Sequence, residues 1–125
     1  MPHDQAYLLA EKKIKEASKS GAKKLDLRSS QLTKLPEAIG QLSQLQELDL
    51  GTDWTNSFEK TNQLTELPES LGQLTQLRLL DLSNNKLTAL PSSLGNLTQL
   101  RKLDIANNKL TTLPTSFGQL IQLEL

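Results

Sequence analysis

Aliphatic and polar positions follow a common pattern four times between residues 22 and 122, and a fifth unit begins at residue 123. At the start of a unit, apolar residues such as Leu103 and Ile105 alternate with polar ones, which predicts a short strand with one buried face. Each full unit then places a proline four residues before a glycine. The pairs are Pro36 and Gly40, Pro68 and Gly72, Pro91 and Gly95, and Pro114 and Gly118. Self-similarity at this spacing predicts a repeat architecture.

Equivalent positions of the units form columns that we expect to build the core. A single unit cannot bury its leucines, whereas a stack of three or more can. The four apolar columns are Leu25, Leu48, Leu80 and Leu103; Leu27, Leu50, Leu82 and Ile105; Leu35, Leu67, Leu90 and Leu113; and Ile39, Leu71, Leu94 and Phe117. A column of Asn62, Asn85 and Asn108, with Ser30 in the first unit, is expected to point inward and bond backbone groups left unpaired after each strand.

The third and fourth units reduce to the pattern LxxLDLSNNxLTxLPxxLGxLTQ. This pattern resembles the leucine-rich-repeat superfamily in its 23-residue intracellular class. It is similar to bacterial leucine-rich-repeat proteins and to the repeat arms of Roco-type GTPases. The resemblance covers residues 22–125 and implies an α/β, right-handed solenoid with short parallel strands on its concave face, which binds protein or peptide partners. Nucleotide chemistry is not carried over, because the phosphate-loop motif G-x-x-x-x-G-K-[ST] does not occur.

The chain divides into a capping helix at residues 1–21 and a leucine-rich-repeat domain at residues 22–125. Asp4 suits the helix N-cap, and apolar residues recur at helical spacing until Gly21. We expect this helix to cover the apolar edge of the first repeat, although its lysine-rich face could instead form a site for an acidic partner or a membrane surface. The repeats are predicted at residues 22–44, 45–76 with an insertion at 51–61, 77–99, 100–122 and, in part, 123–125.

Composition argues against several classes of function. The 14 basic and 14 acidic residues leave no net charge to attract nucleic acid or a membrane. With no cysteine and one histidine, His3, we expect no disulfide, metal site or cofactor. The first residues lack the pattern of a secretory signal, which favours a cytoplasmic location. No catalytic motif occurs, so we expect a protein that is not an enzyme.

Strand residues that point away from the core line the concave face, where a column of four aspartates stands out. Carboxylates on strands about 4.8 Å apart repel one another, and we expect nearby Lys24, Arg28, Arg78, Arg101 and Lys102 to offset them. Two interpretations stay open: a generic polar face, or a docking surface for a basic peptide or weakly bound cation. The candidate partner-binding residues of this face are Lys24, Asp26, Arg28, Glu47, Asp49, Arg78, Leu79, Asp81, Lys102 and Asp104.

The insertion at residues 51–61 is a second candidate for partner binding. It contains Trp54 and Phe58, two of the four aromatic residues of the chain. Aromatic anchors are frequent at binding hot spots, and loops often carry function. The alternative is that both rings fold back onto the edge of the solenoid and keep the loop ordered.

The C-terminal segment predicts an uncovered strand. Leu123 and Leu125 would begin a fifth unit, and an unpaired edge beside exposed leucines favours association. As an alternative function, we therefore consider that the chain is a structural protein that associates with itself. It would form a homodimer through this edge. A fragment of a longer repeat protein or a shortened gene product is the explanation we place before the dimer, and a regulatory arm of a larger Roco-like GTPase is a further alternative.

Overall fold

The computed structural model describes residues 5–53, 55 and 60–119. Helix α1 is followed by one parallel sheet of four strands in the order β1-β2-β3-β4. The bounds are α1 Gln5–Ser20, β1 Lys24–Asp26, β2 Glu47–Asp49, β3 Leu79–Asp81 and β4 Lys102–Asp104. After each strand the chain returns through a short 3-10 helix that begins directly after a proline. These 3-10 helices are Glu37–Gln41, Glu69–Gln73, Ser92–Asn96 and Thr115–Gln119.

The strands pair in the register that the repeats predict. The central leucines Leu25, Leu48, Leu80 and Leu103 are direct neighbours across the sheet, and all four are buried. Each strand is only three residues long, so its two flanking residues point to the opposite face. The expected stack of short parallel strands on an aliphatic core is confirmed.

Helix α1 covers the side of the first repeat. It buries Ala10, Ile14 and Ala17, which lie on one helical face and join the leucine core. Gly21 has a φ of +67°, a conformation that favours glycine. The N–H of Ala22 donates to the carbonyl of Ala17 at 3.0 Å, which is the bond that closes a helix end of the Schellman type. The predicted N-cap, Asp4, lies outside the described residues.

The return path requires glycine because successive repeats approach closely there. A Cβ added to Gly72 would lie 2.5 Å from the Cβ of Ser93, and one added to Gly95 would lie 2.5 Å from that of Ser116. The serine hydroxyls bond across the same contact: Ser93 Oγ donates to the Glu69 carbonyl at 2.7 Å, and Ser116 Oγ donates to that of Ser92 at 2.7 Å. Each repeat therefore locks its 3-10 helix onto the preceding one.

The asparagine column has the predicted structural role. Asn62 Oδ1 accepts the N–H groups of Ser30 and Leu32 at 3.1 and 2.8 Å, and its Nδ2 donates to the carbonyls of Leu27 and Leu50 at 2.9 and 3.0 Å. Asn85 and Asn108 repeat this arrangement one and two layers further on. These amides hold the backbone where each strand turns onto the return path.

The expectation that Leu113 is a core residue is wrong. Its side chain is 45% exposed, and Leu110 and Phe117 of the same repeat are only partly buried. Burial at these positions comes from the next layer of leucines. Within the described residues, no further layer covers the fourth repeat.

Candidate functional site

Two rows of side chains cross the concave face, because each strand presents its first and third residue outward. The first residues of the strands form the mixed row, and the third residues form the aspartate row. The mixed row consists of Lys24, Glu47, Leu79 and Lys102. The aspartate row consists of Asp26, Asp49, Asp81 and Asp104. The sequence predicted that all eight residues line the concave face, and the register brings the members of each row side by side.

Each carboxylate of the aspartate row is bonded to its own chain. The Oδ1 atom accepts the backbone N–H two residues further on: that of Arg28 at 2.9 Å, Gly51 at 2.9 Å, Ser83 at 2.9 Å and Ala106 at 3.0 Å. These bonds form a repeated Asx turn at the end of every strand. The aspartates therefore have a structural role, which favours the interpretation of a generic polar strand face over a docking surface for a basic peptide.

Arg28 neutralises the aspartate row in the first two repeats. Its guanidinium bonds Asp26 through two nitrogens, with Nε to Oδ1 at 3.0 Å and Nη2 to Oδ2 at 2.9 Å. The same group lies 3.7 Å from an oxygen of Asp49 and 4.0 Å from one of Asp53. A two-point arginine–carboxylate contact is stronger than a single bond between neutral groups.

The pKa values of the neighbouring Asp26 and Asp49 carboxyls are shifted in opposite directions. The hydrogen bonds from Arg28 lower the pKa of Asp26 below its usual value, outweighing the effect of partial burial. Burial raises the pKa of Asp49, and the nearby Asp81 carboxylate raises it further, while the bond from the Gly51 N–H opposes both. The pKa of the Arg28 guanidinium is raised, chiefly by its bond to Asp26.

The other basic residues do not offset the aspartates as the sequence led us to expect. Within the described residues, no ion pair involves Arg78, Arg101 or Lys102. These cations lie at the beginning of β3 and β4, whereas the aspartates lie at the end. Arg78 and Arg101 each lie three residues, about 10 Å along the chain, before an aspartate, and Lys102 lies two residues, about 7 Å, before Asp104. The concave face is thus basic along one side and acidic along the other.

A shallow cavity of about 300 Å³ lies among these three cations. It is lined by Glu47, Arg78, Leu79, Arg101 and Lys102. The carboxylate of Glu47 is 3.5 Å from the ammonium group of Lys24, its neighbour on β1. Sequence reasoning left Arg101 out of the candidate binding residues. The signal was present, since Arg101 holds the same position in its repeat as Arg78 does in the preceding one.

The insertion leaves the concave face beside the aspartate row and is tied to the first repeat. The N–H of Asp53 donates to Ser29 Oγ at 2.7 Å, and Asp53 Oδ1 accepts from both the N–H and the hydroxyl of Thr55 at 3.1 and 2.6 Å. At its far end the N–H of Gln31 donates to the Lys60 carbonyl at 3.0 Å. Trp54 and Phe58, which the sequence singled out, lie outside the described residues, as do Leu123 and Leu125.

Two other features are absent from the described part of the chain. No group of three or more histidine, aspartate or glutamate side chains is arranged to hold a metal ion there. Among the same residues, no helix is long and apolar enough to cross a membrane.

Comparison with known proteins identifies the repeats. Residues 75–119 match the family described as leucine rich repeats (2 copies). The leucine-rich-repeat domain of the type III effector XopL is 33% identical with a TM-score of 0.72, over 89% of this chain and 35% of that one. A leucine-rich-repeat protein of Leptospira interrogans is 30% identical with a TM-score of 0.55, over 88% of this chain and 38% of that one. An internalin of Listeria monocytogenes is 30% identical with a TM-score of 0.57, over 74% of this chain and 24% of that one.

The chain belongs to the leucine-rich-repeat superfamily, as its sequence pattern indicated. It spans between 24% and 38% of the length of these three solved structures. No curated protein is significantly similar to it. Leucine-rich-repeat domains are typical protein–protein interaction modules, and the family binds protein partners. The resemblance to the repeat arms of Roco-type GTPases stays a prediction.

Proposed function

We propose that this chain is a non-enzymatic interaction module that binds a protein or peptide on its concave face. The observation that carries the proposal is the rigid, outward-facing array of side chains on β1 to β4. The central leucines beneath it are almost completely buried, and the strand backbones are already paired within the sheet. A partner would therefore contact side chains that project from a preorganised backbone, at a small cost in backbone conformational entropy.

The shape of the face supports binding of an extended surface better than catalysis. Its hollows are open and shallow, and one side is lined by Lys24, Arg28 and Glu47 beside Leu79. Among the described residues the face presents carboxylates that bond their own backbone and cations that face solvent. The Ser83 hydroxyl donates to Asp81 Oδ1 at 2.6 Å, but the same oxygen accepts the Ser83 N–H at 2.9 Å, so this contact belongs to the turn after β3 and does not lie in an enclosed pocket of the kind that nucleophilic catalysis requires.

The insertion is the second part of the proposed binding surface. Asp53 and Thr55 anchor its start beside Arg28, so the loop that carries Trp54 and Phe58 leaves from the rim of the concave face. In this proposal the two aromatic rings contact the partner at the rim while the mixed row contacts it on the face. Large aromatic side chains are enriched at binding hot spots.

Affinity purification with quantitative mass spectrometry tests the proposal. Wild type would be compared with Leu79→Lys on the face, Trp54→Ala in the loop and Lys86→Glu as an exposed control away from both. We expect specific partners to be lost with the first two variants and retained with the control. If only Leu79→Lys loses them, the loop has no part in binding. Equal recovery with all four proteins would refute the proposed function.

A further inference from the structure

The most informative feature of the concave face is a cluster of cations that form no ion pair with the described residues. The basic cluster consists of Arg78, Arg101 and Lys102, which surround Leu79. We propose that this cluster binds an acidic segment of a partner protein, with an apolar side chain of that segment seated on Leu79. The inference rests on the proposed function and specifies the chemistry of the partner.

The cluster holds three like charges on adjacent strands. Arg78 and Arg101 occupy equivalent positions of neighbouring repeats, and the backbone carbonyl of Arg78 accepts the N–H groups of Arg101 and Lys102 at 2.8 and 3.0 Å. Parallel strands lie about 4.8 Å apart, so cations on them repel one another. Glu47, the acidic residue at the border, already faces Lys24 at 3.5 Å. Carboxylates from a ligand would relieve this repulsion.

Leu79 gives the cluster an apolar centre. Among the outward strand positions from β1 to β4, it is the only aliphatic side chain, and it is partly exposed. It pairs in register with Glu47 on one side and Lys102 on the other. The surrounding hollow of about 300 Å³ can take one aliphatic or aromatic side chain. An apolar contact inside a charged border is the arrangement that excludes water from a hot spot.

The opposite side of the face does not offer an equivalent site for a basic segment. Asp26 is held by Arg28 at 2.9 Å, and each aspartate of the row accepts a backbone N–H of its own turn. A basic ligand at Asp26 would compete with Arg28, whereas no carboxylate of the described residues pairs with Arg78, Arg101 or Lys102. Charge complementarity therefore favours the acidic partner.

The experiment selects decapeptides from a random phage-displayed library on the immobilised full chain and measures the affinity of the enriched peptides by fluorescence anisotropy. The test variant is Arg78→Glu with Arg101→Glu. Its matched control is Lys86→Glu with Lys109→Glu, which changes the net charge equally at exposed residues of the return path. Circular dichroism establishes that all three proteins fold alike.

We expect enriched peptides to carry acidic residues beside an apolar one. Reversal of two contacting charges should weaken their binding at least about tenfold, with no change in the control. The affinity should also fall as salt is raised from low to high concentration. Replacing the acidic residues of a peptide by their amides should weaken its binding to the wild type. The loss of affinity should match the loss that the unchanged peptide shows with the test variant.

Three results would overturn the inference. In the first, Asp104→Lys weakens peptide binding and the test variant does not. The proposed function would then stand, with its site on the acidic side of the face. A uridine oligonucleotide that displaced the peptides at lower concentration than a competing acidic peptide would make the cluster a site for nucleic acid. Enriched peptides that bound every face variant equally, or no enrichment at all, would refute the proposed function as well.

Discussion

Asn62 should be the most sensitive position of the asparagine column. It is 2% exposed, and replacement by alanine would leave the N–H groups of Ser30 and Leu32 without their acceptor. The Leu27 carbonyl would also lose its bond from the amide, whereas the Leu50 carbonyl would keep a bond from Asn85 at 3.2 Å. A buried polar group left unsatisfied costs about 1–3 kcal/mol. We therefore expect Asn62→Ala to lower the free energy of unfolding by about 3 kcal/mol.

Asn108 provides the matched control. Its Oδ1 accepts a single N–H, that of Leu87 at 3.0 Å, and the residue is only partly buried, so water can replace the amide. We expect Asn108→Ala to cost about 1 kcal/mol or less on the same physical grounds. Urea unfolding followed by circular dichroism measures both variants against wild type. A loss for Asn108→Ala equal to or larger than that for Asn62→Ala would contradict the reasoning.

Two further predictions concern close packing and titration. Gly72→Ala should lower the free energy of unfolding by about 1–3 kcal/mol, because its Cβ would meet Ser93 at 2.5 Å. Gly118→Ala, which would meet no atom of the described residues within 4 Å, should change it little, and equal thermal shifts for the two variants would argue against repeat-to-repeat contact as the cause. In carbon-13 NMR titrations Asp26 should protonate below its usual range and Asp49 above it. Removing the guanidinium with Arg28→Met should raise the pKa of Asp26, and an unchanged value would show that Arg28 is not the cause.

These titrations have opposite consequences for stability. Because the folded-state pKa of Asp26 is lowered, its contribution is present above the unfolded value of about 3.9 and is lost as pH falls through the folded value. Because the pKa of Asp49 is raised, its charged form is disfavoured in the folded state, and acidification relieves that cost. Arg28→Met should therefore weaken the loss of stability at acid pH.

Much of the fold could be predicted because its information is local and repeated. The alternation around Leu80 and Leu103, the anchors Pro91 and Gly95, and the position of Asn85 all recur at one spacing, so one correct unit fixes the next. The core columns were correct wherever a neighbouring repeat covers them. Leu113 was wrong because its burial depends on a further layer and not on its own unit.

The candidate site was less predictable. The sequence shows that Asp26, Asp81, Arg78 and Arg101 lie on or next to strands, but opposite charges near one another in sequence need not meet. Arg78 and Arg101 lie at the beginning of the strands, about 10 Å from the aspartates at the end. The backbone turn after each strand supplies the N–H that each aspartate accepts. Neither fact can be read from charge spacing alone.

The sequence by itself determined which residues face inward, since burial of leucines repeats with the unit and a polar residue at those positions would be costly. Only the tertiary structure decided how the outward charges are used. Pairing of the strands brings Arg28, which already bonds Asp26 two residues before it, to 3.7 Å from Asp49, but it leaves Arg78, Arg101 and Lys102 around Leu79 without an ion pair among the described residues. Ion pairs form over a few ångströms, and distances of that size between side chains arise only when the repeats are stacked.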